Sequence, residues 1–261
     1  MPDKKSGMLK RMIPSIVAVM ITAILPPLSI GTTITRSKTK VEALIEQQQM
    51  APADARFSRL RRGINLSHWF SQSPGNDYSK THLETHTTAE DIALIKAMGF
   101  DHVRFPIEPA PLFNAQDPSV LNATYLRYLD NALDMILQTG LAVIVDIHPS
   151  DDFKLRLKDD RQVEAFAKFW GALATHFSAR DPERVFLEVL NEPMVEDGYR
   201  WYGLQARLIA AIRAGAPQHT IIAGGHRWSG LQELLFLQPY SDPNIIYNFH
   251  FYEPFSFTHQ G

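Results

Sequence analysis

The chain has 261 residues, of which 45% are apolar and 21% are charged, and this composition excludes an intrinsically disordered, collagenous or coiled-coil protein. Its 26 Lys and Arg residues against 28 Asp and Glu residues give a formal net charge of -2, so no global positive field recruits nucleic acid. Because cysteine is absent, disulfides, thiolate metal sites and a cysteine nucleophile are excluded. The length is sufficient for one large core, either as one barrel or as two small domains.

The first 31 residues resemble a targeting segment. Basic residues precede an apolar run over 12–25, and Pro26 and Pro27 end that run. A basic start, a short apolar run and helix breakers are typical of an export signal. An uncleaved signal-anchor and a buried helix are the alternatives, since the run is short for a membrane span.

The composition changes again after this segment. Residues 32–55 are polar and are predicted to form a linker, which leaves 56–261 as the folded domain. We therefore expect a secreted or periplasmic protein, or one anchored to the membrane by residues 12–30 if the signal is not cleaved.

The folded region alternates β-rich and helical segments. The predicted strands are Gly63–Leu66, His102–Pro106, Leu141–Ile147, Val185–Leu190, Thr220–Ala223 and Ile245–Phe249. The predicted helices are one that is capped by Thr87 or Thr88 and ends at Gly99, and three over Ala123–Gln138, Gln162–Phe177 and Trp201–Ala214. Near-continuous apolar strands without hairpin turns indicate a parallel sheet, either doubly wound or closed as a (β/α)8 TIM barrel.

The position of the polar residues favours the barrel. No glycine-rich phosphate turn follows any predicted strand, which lowers the nucleotide-binding alternative. Polar side chains instead lie in or just after the C-terminal halves of the strands, at Arg104, Asp146, His148, Asn191, Glu192, His250 and Tyr252. In a (β/α)8 barrel these positions converge on one mouth, where active sites of this fold lie.

Glu192 is the first candidate for chemistry. It follows the most apolar strand, in Asn191-Glu192-Pro193, and Pro193 is expected to stop the strand there. Desolvation at that position is expected to raise the pKa of the carboxyl, which suits a general acid. The alternative is a carboxylate that caps the following helix.

Two His-containing pairs end other strands. Asp146 and His148 share one face of a strand, and His250 and Tyr252 repeat that spacing further along the chain. His148 is expected to bind a substrate hydroxyl or to position the acid, or else to be satisfied by the neighbouring carboxylate. A metal site of Asp146, His148 and His250 is a further alternative, although no HxH or HExxH motif supports it.

Charged and aromatic residues complete the set of candidates. Arg104 lies between apolar neighbours and requires a carboxylate partner. Trp69, Trp228 and Tyr199 are expected in loops after strands one, five and four, where their rings either stack on sugar rings or pack locally. Of these, Trp69 and Trp228 are predicted to bind substrate.

Five motifs in this order, RRGINLSHWF, HVRFPI, VIVDIH, FLEVLNEP and NFHFYEPFSFTHQG, resemble glycoside hydrolase family 5, the cellulase family, over about residues 60–261. The resemblance implies a (β/α)8 barrel that cleaves β-glycosidic bonds of a β-glucan or related polysaccharide with retention and without a cofactor. It makes Glu192 the acid/base and Asn191 the residue that hydrogen-bonds the sugar 2-hydroxyl. The family's remaining motif residues match Arg104, His148, His250 and Tyr252, while Asp146 has a supporting role.

The sequence departs from the family pattern at its end. Retaining cleavage requires a second carboxylate as nucleophile, and the family places it after strand seven. The six strand starts lie roughly 36 residues apart, so about six of eight β/α units are expected here and the nucleophile is expected beyond residue 261. The 261-residue chain itself is then expected to be inactive. The alternative is a non-catalytic carbohydrate-binding protein on a decayed barrel.

Overall fold

Six parallel strands hydrogen-bond in chain order, β1-β2-β3-β4-β5-β6, in a computed structural model that describes residues 51–258. The strands are β1 (Gly63–Asn65), β2 (His102–Ile107), β3 (Ala142–Ile147), β4 (Val185–Glu188), β5 (Thr220–Gly224) and β6 (Ile245–Asn248). The helices are α1 (Pro52–Phe57), α2 (Lys80–Thr85), α3 (Ala89–Ala97), α4 (Ala123–Gln138), α5 (Asp151–Arg156), α6 (Asp160–Phe177), α7 (Gly198–Gly215), α8 (Leu231–Phe236) and α9 (Phe255–Thr258). Short 3-10 turns lie at Pro74–Asn76 and Arg227–Ser229. The prediction of a parallel, incomplete barrel is confirmed.

Side chains on the strands alternate between two apolar layers. Outward residues such as Val145 and Leu187 join the large cluster with the helices, including the buried Trp170 of α6. Inward residues form a small second cluster, in which Ile144 and Phe186 pack with Ala53 of α1. The period of two along each strand therefore sends every second residue into the barrel interior.

Strand register places the charged inward residues at one end of the sheet. Asp146 is paired with Glu188 across β3 and β4, and each follows an apolar inward residue on its own strand. Arg104 occupies the same inward parity on β2, where its register partner on β3 is Ile144. The barrel interior is thus apolar at its lower end and charged toward the carboxyl ends of the strands.

Capping residues determine where the helices begin. Thr88 and Asp91 form the capping box of α3, and Thr88 is one of the two caps predicted for this helix. The helix α4 has the predicted bounds, since Asn122 accepts from the backbone of Thr124 at its start. The helix α7 begins three residues before the predicted Trp201 because Asp197 accepts from the amides of Tyr199 and Arg200.

Strand β4 is shorter than predicted. The ladder ends at Glu188, and Pro193 therefore lies beyond the strand and does not terminate it. The following backbone still bonds to both neighbours, from Val189 to Ile222 at 3.0 Å and from Asn191 to Ile147 at 2.8 Å. Glu192 then adopts a left-handed φ of 43°, which turns the chain out of the sheet.

The N-terminal predictions fall outside the described part of the chain. The export signal or anchor over 1–31 and most of the linker over 32–55 lie there, and both stay predictions. The first described helix, α1, begins at Pro52 and contacts β5 and β6. Within residues 51–258, no helix combines the length and the apolar character needed to span a membrane.

Candidate active site

Arg104 is the centre of a buried ionic group at the carboxyl end of the sheet. Its Nε lies 2.8 Å from Oε2 of Glu188 and its Nη2 lies 2.9 Å from Oε1, so the pair is bidentate. Oδ2 of Asp146 lies 2.8 Å from the same Nη2. Glu188 and Asp146 are both buried. The carboxylate partner that the sequence required for Arg104 is therefore Glu188, with Asp146 as a second.

The guanidinium of Arg104 lies between two carboxylates, and the pKa values of these two groups shift in opposite directions. Burial alone would lower the pKa of Arg104, but the charges of Asp146 and Glu188 raise it well above its ordinary value. Burial would raise the pKa of Glu188, yet the bidentate Arg104 holds it below its usual range. Burial raises the pKa of Asp146, and its buried Oδ1 has no hydrogen-bond partner among the described residues.

Glu188 was not singled out from the sequence. The available signal was a charged residue inside the apolar segment FLEVLNEP, at the parity that faces Arg104. A charged residue at that position must have a buried partner.

Asn191 and His148 continue the group toward the mouth. Nη2 of Arg104 donates to Oδ1 of Asn191 at 2.9 Å. Nδ2 of Asn191 lies 3.2 Å from Nε2 of His148, and Nδ1 of His148 lies 2.9 Å from Oδ2 of Asp146. The predicted residues Arg104, Asn191 and His148 are therefore brought together, and Asp146 supports His148.

Glu192 forms a second pair at the mouth. Its Oε1 lies 2.7 Å from Nδ1 of His250, and its side chain is 26% exposed. Burial acts to raise the pKa of Glu192, but the hydrogen bond and charge of His250 outweigh it and hold the pKa below its ordinary value. The prediction of a raised pKa for Glu192 is therefore wrong for the described residues. It considered desolvation but not the hydrogen bond from His250, which lies 58 residues further along the chain.

His250 and Tyr252 lie in the segment that follows strand β6. The backbone N–H of His250 donates to the carbonyl of Ser229 at 2.8 Å, which fixes the start of this segment. The rings of His250 and Tyr252 lie 6.5 Å apart, edge to face. Burial and then the charge of Glu192 raise the pKa of Tyr252.

The aromatic candidates divide into buried and exposed rings. Trp69 is 1% exposed, donates from its indole nitrogen to the carbonyl of Leu83 at 2.8 Å and packs on Phe105, so the prediction that it stacks on sugar is wrong. Trp228 is 50% exposed, and its backbone donates to the carbonyl of Pro193 beside Glu192. Tyr199 is 78% exposed and lies on α7, not in the loop predicted for it.

The proposed metal ligands are not assembled. Among residues 51–258, no group of three or more His, Asp or Glu side chains is placed to hold a metal ion. Asp146 bonds to His148, whereas His250 pairs with Glu192, so the three suggested ligands belong to two separate pairs.

Glu108 is a buried carboxylate in the loop after β2. It accepts from the amide of Ala110 at 3.1 Å and from the amide of Ser150 at 2.9 Å. Burial raises its pKa. These bonds tie the loop after β2 to the loop after β3, so Glu108 supports the wall of the mouth.

Parallel strands that alternate with helices, with acidic and polar side chains gathered at their carboxyl ends, define a (β/α)-barrel protein with its site at the barrel mouth. A family model for cellulase, glycosyl hydrolase family 5, matches residues 63–261. The chain belongs to this family.

Similar proteins carry endoglucanase and cellodextrinase names. Endoglucanase C of Acetivibrio thermocellus is 33% identical over 208 residues, which cover 77% of this chain and 60% of that protein. Cellodextrinase A of Ruminococcus flavefaciens is 32% identical over 210 residues with the same coverage, 77% and 60%. The chain thus spans about 60% of the length of these relatives.

Solved structures agree with this assignment. Thermotoga maritima Cel5A in complex with cellobiose superposes with a TM-score of 0.69 at 29% identity, over 79% of this chain and 65% of that one. A hyperthermophilic endo-β-1,4-glucanase in complex with substrate gives a TM-score of 0.72 at 26% identity, over 81% and 66%.

Proposed function

We propose that this chain carries the acid/base half of the active site of a retaining endo-β-glucanase that acts on a β-1,4-linked or related glucan. The observation that carries the proposal is the Glu192–His250 pair, which holds a half-buried carboxylate at the barrel mouth with its Oε1 2.7 Å from Nδ1 of His250. Family membership and the endoglucanase relatives support the substrate class.

In the first step, a second carboxylate attacks the anomeric carbon while the glycosidic C–O bond breaks. Glu192 gives its proton to the departing sugar oxygen, and a glycosyl-enzyme ester forms. In the second step, Glu192 takes a proton from water as the water oxygen attacks the anomeric carbon. The ester bond breaks and the free sugar leaves, so Glu192 regains its proton and the nucleophile its charge.

The second carboxylate is proposed to come from outside residues 51–258. Glu188 and Asp146 are both committed to Arg104, and Glu108 holds two backbone amides. A nucleophile at about 5–5.5 Å would also raise the pKa of Glu192, since a like charge disfavours ionisation. The lowered pKa in the described residues thus fits a site whose second carboxylate is supplied separately.

Azide provides the test, because a small anion can replace a missing carboxylate nucleophile. The polypeptide of residues 1–261 is incubated with cellotetraose, with and without sodium azide, and the products are separated by chromatography. We expect cleavage that depends on azide and falls at least on the order of 100-fold in Glu192→Gln, which cannot give a proton to the leaving sugar. Glu196→Gln, in the exposed loop that follows, is the matched control and keeps the wild-type rate.

Two results would contradict the proposal. Equal cleavage with and without azide would place the nucleophile within the chain. If the polypeptide neither cleaves nor measurably binds cellotetraose, the barrel must have a different function.

Secretion is also a proposal, supported by the basic start and the apolar run over 12–25. N-terminal sequencing of the protein recovered outside the cytoplasm tests it. A protein that stays in the cytoplasm with residues 1–31 intact would contradict it.

A further inference from the structure

Glu188 is a buried carboxylate for which the proposed reaction has no direct use. It faces the barrel interior on β4, beside Asp146 in register. Its two oxygens accept from Nε and Nη2 of Arg104, and its Oε1 also accepts from Nδ2 of Asn248 at 3.2 Å. All of its contacts therefore lie beneath the mouth, with none reserved for a substrate among the described residues.

We propose that Glu188 is a positioning residue that holds Arg104 so that the hydrogen bonds in a closed ring of Arg104, Asn191, His148 and Asp146 run from Arg104, the donor, to Asp146, the final acceptor. The expected effect on substrate binding and turnover rests on the proposed function. The direction of the hydrogen bonds in the ring does not, since it follows from the donors and acceptors alone.

Arg104 sets the direction because a guanidinium can only donate. The atom of Asn191 that faces its Nη2 at 2.9 Å must be the carbonyl oxygen Oδ1. Nδ2 of Asn191 then faces Nε2 of His148 at 3.2 Å, and this ring nitrogen must accept. The proton of His148 therefore lies on Nδ1, which donates to Oδ2 of Asp146 at 2.9 Å. Asp146 ends this series as an acceptor, and its ion pair with Nη2 of Arg104 at 2.8 Å closes the ring.

Glu188 decides where the guanidinium sits within this ring. Its bidentate contact engages both Nε and Nη2, and so fixes the plane of the fork as well as its position. Without that contact, Asp146 would be the nearest remaining counter-ion, and its buried Oδ1 has no partner to compete. The guanidinium would then move toward Asp146 and away from Asn191.

Loss of the Arg104 bond would release the amide of Asn191. An amide with a free oxygen can rotate by 180°, so His148 would face an oxygen in part of the population and would carry its proton on Nε2 there. Asn191 would also present its donor to the mouth only part of the time. A sugar hydroxyl at that position would lose a fixed partner.

The experiment measures the His148 tautomer in the full chain by ¹⁵N NMR of labelled histidine, assigned with His148→Gln. The wild type is expected to carry the proton on Nδ1. In Glu188→Gln, which keeps the shape and loses the charge, the ¹⁵N shifts of the two ring nitrogens are expected to converge. Azide-dependent kcat on cellotetraose should fall on the order of 10- to 100-fold, with a smaller change in KM, because the misplaced amide acts mainly in the transition state.

Glu183→Gln is the matched control. Glu183 also pairs with an arginine, with its Oε1 2.7 Å from Nε of Arg56, but at the opposite end of the sheet. This variant should leave the His148 tautomer and kcat unchanged. Should Glu188→Gln not fold, Glu188→Asp keeps the charge and is expected to shift the ring nitrogens in the same direction by a smaller amount.

The outcomes separate this inference from the proposed function. A wild-type proton on Nε2, or unchanged ¹⁵N shifts in the Glu188 variants, would overturn the inference. Absence of azide-dependent cleavage in the wild type would contradict the proposed function alone, and the tautomer measurement would still decide the role of Glu188.

Discussion

Nδ1 of His250 lies 2.7 Å from Oε1 of Glu192, although 58 residues separate them along the chain. The contact spans from the segment after β6 to the turn after β4, so it exists only because the sheet brings these carboxyl ends together. It keeps the pKa of the Glu192 carboxyl below its ordinary value. Its removal should be visible in the titration of Glu192.

The variant His250→Phe should raise the pKa of Glu192. Burial already acts to raise that pKa, and the hydrogen bond and charge of His250 are what lower it. Without them, desolvation dominates and the pKa moves toward or above the ordinary range. Titration of the Glu192 carboxyl by ¹³C NMR measures the shift, and a pKa equal to that of the wild type would contradict this account.

The variant Arg104→Met should be strongly destabilising. It leaves Asp146 and Glu188 buried side by side without a counter-ion, which we expect to cost about 3–5 kcal/mol in the free energy of unfolding. Urea denaturation at neutral pH measures this loss. Arg161→Gln is the control, since its ion pair with Asp159 is exposed, and it should leave stability unchanged. Equal stabilities for the two variants would argue against a buried ionic group.

His219 should make the fold sensitive to acid. Its ring is buried with no hydrogen-bond partner in the described structure, and burial together with the charges of Arg56 and Arg213 lowers its pKa to about 4. The unfolded chain takes up this proton near its ordinary pKa of about 6.5, whereas the folded chain does not. Stability should therefore fall as the pH decreases from about 6.5 to 4.

The variant His219→Leu isolates this contribution. Compared with the wild type, its free energy of unfolding should lose on the order of 2–3 kcal/mol less over the same pH interval. Denaturation curves at several pH values supply the comparison. Parallel pH profiles for the two proteins would show that the group titrates alike in both states.

The two tryptophans predicted to bind substrate, Trp69 and Trp228, should respond differently to truncation. Trp228→Ala removes a half-exposed ring and should weaken cellotetraose binding about fivefold, or roughly 1 kcal/mol, without lowering stability. Trp69→Ala removes a fully buried ring and should cost about 3–5 kcal/mol of unfolding free energy. Calorimetric binding and thermal unfolding distinguish the two, and unchanged affinity in Trp228→Ala would reject it as a stacking surface.

Local patterns were sufficient to predict the six strands to within two residues, their inward parity and a helix cap at Thr87 or Thr88, of which Thr88 is the cap. Period-two alternation fixes which side of a strand faces the interior, so Arg104, Asp146 and His148 could be placed together from sequence. The same reasoning placed Asn191, Glu192 and His250 at the mouth, and the family motifs added the roles expected of Asn191 and Glu192.

Features that depend on distant packing could not be predicted in this way. Trp69 is buried because Leu83 and Phe105 close over it, and a loop position alone does not indicate such contacts. The sign of the Glu192 pKa shift depends on His250, whose distance the sequence does not give. Glu188 was hidden because a single charge in an apolar run does not reveal its partner.

The central claim, that Glu192 is the acid/base of a retaining β-glucanase site, is tested most directly by the configuration of the azide product. Cellotetraose cleaved by the polypeptide of residues 1–261 with azide should give an α-linked glycosyl azide, identified by the anomeric proton coupling in ¹H NMR, and Glu192→Gln should suppress it. This result follows because azide attacks from the face opposite the departing sugar, where the nucleophile would lie. An α-linked glycosyl azide formed equally fast by the wild type and by Glu192→Gln would contradict the account.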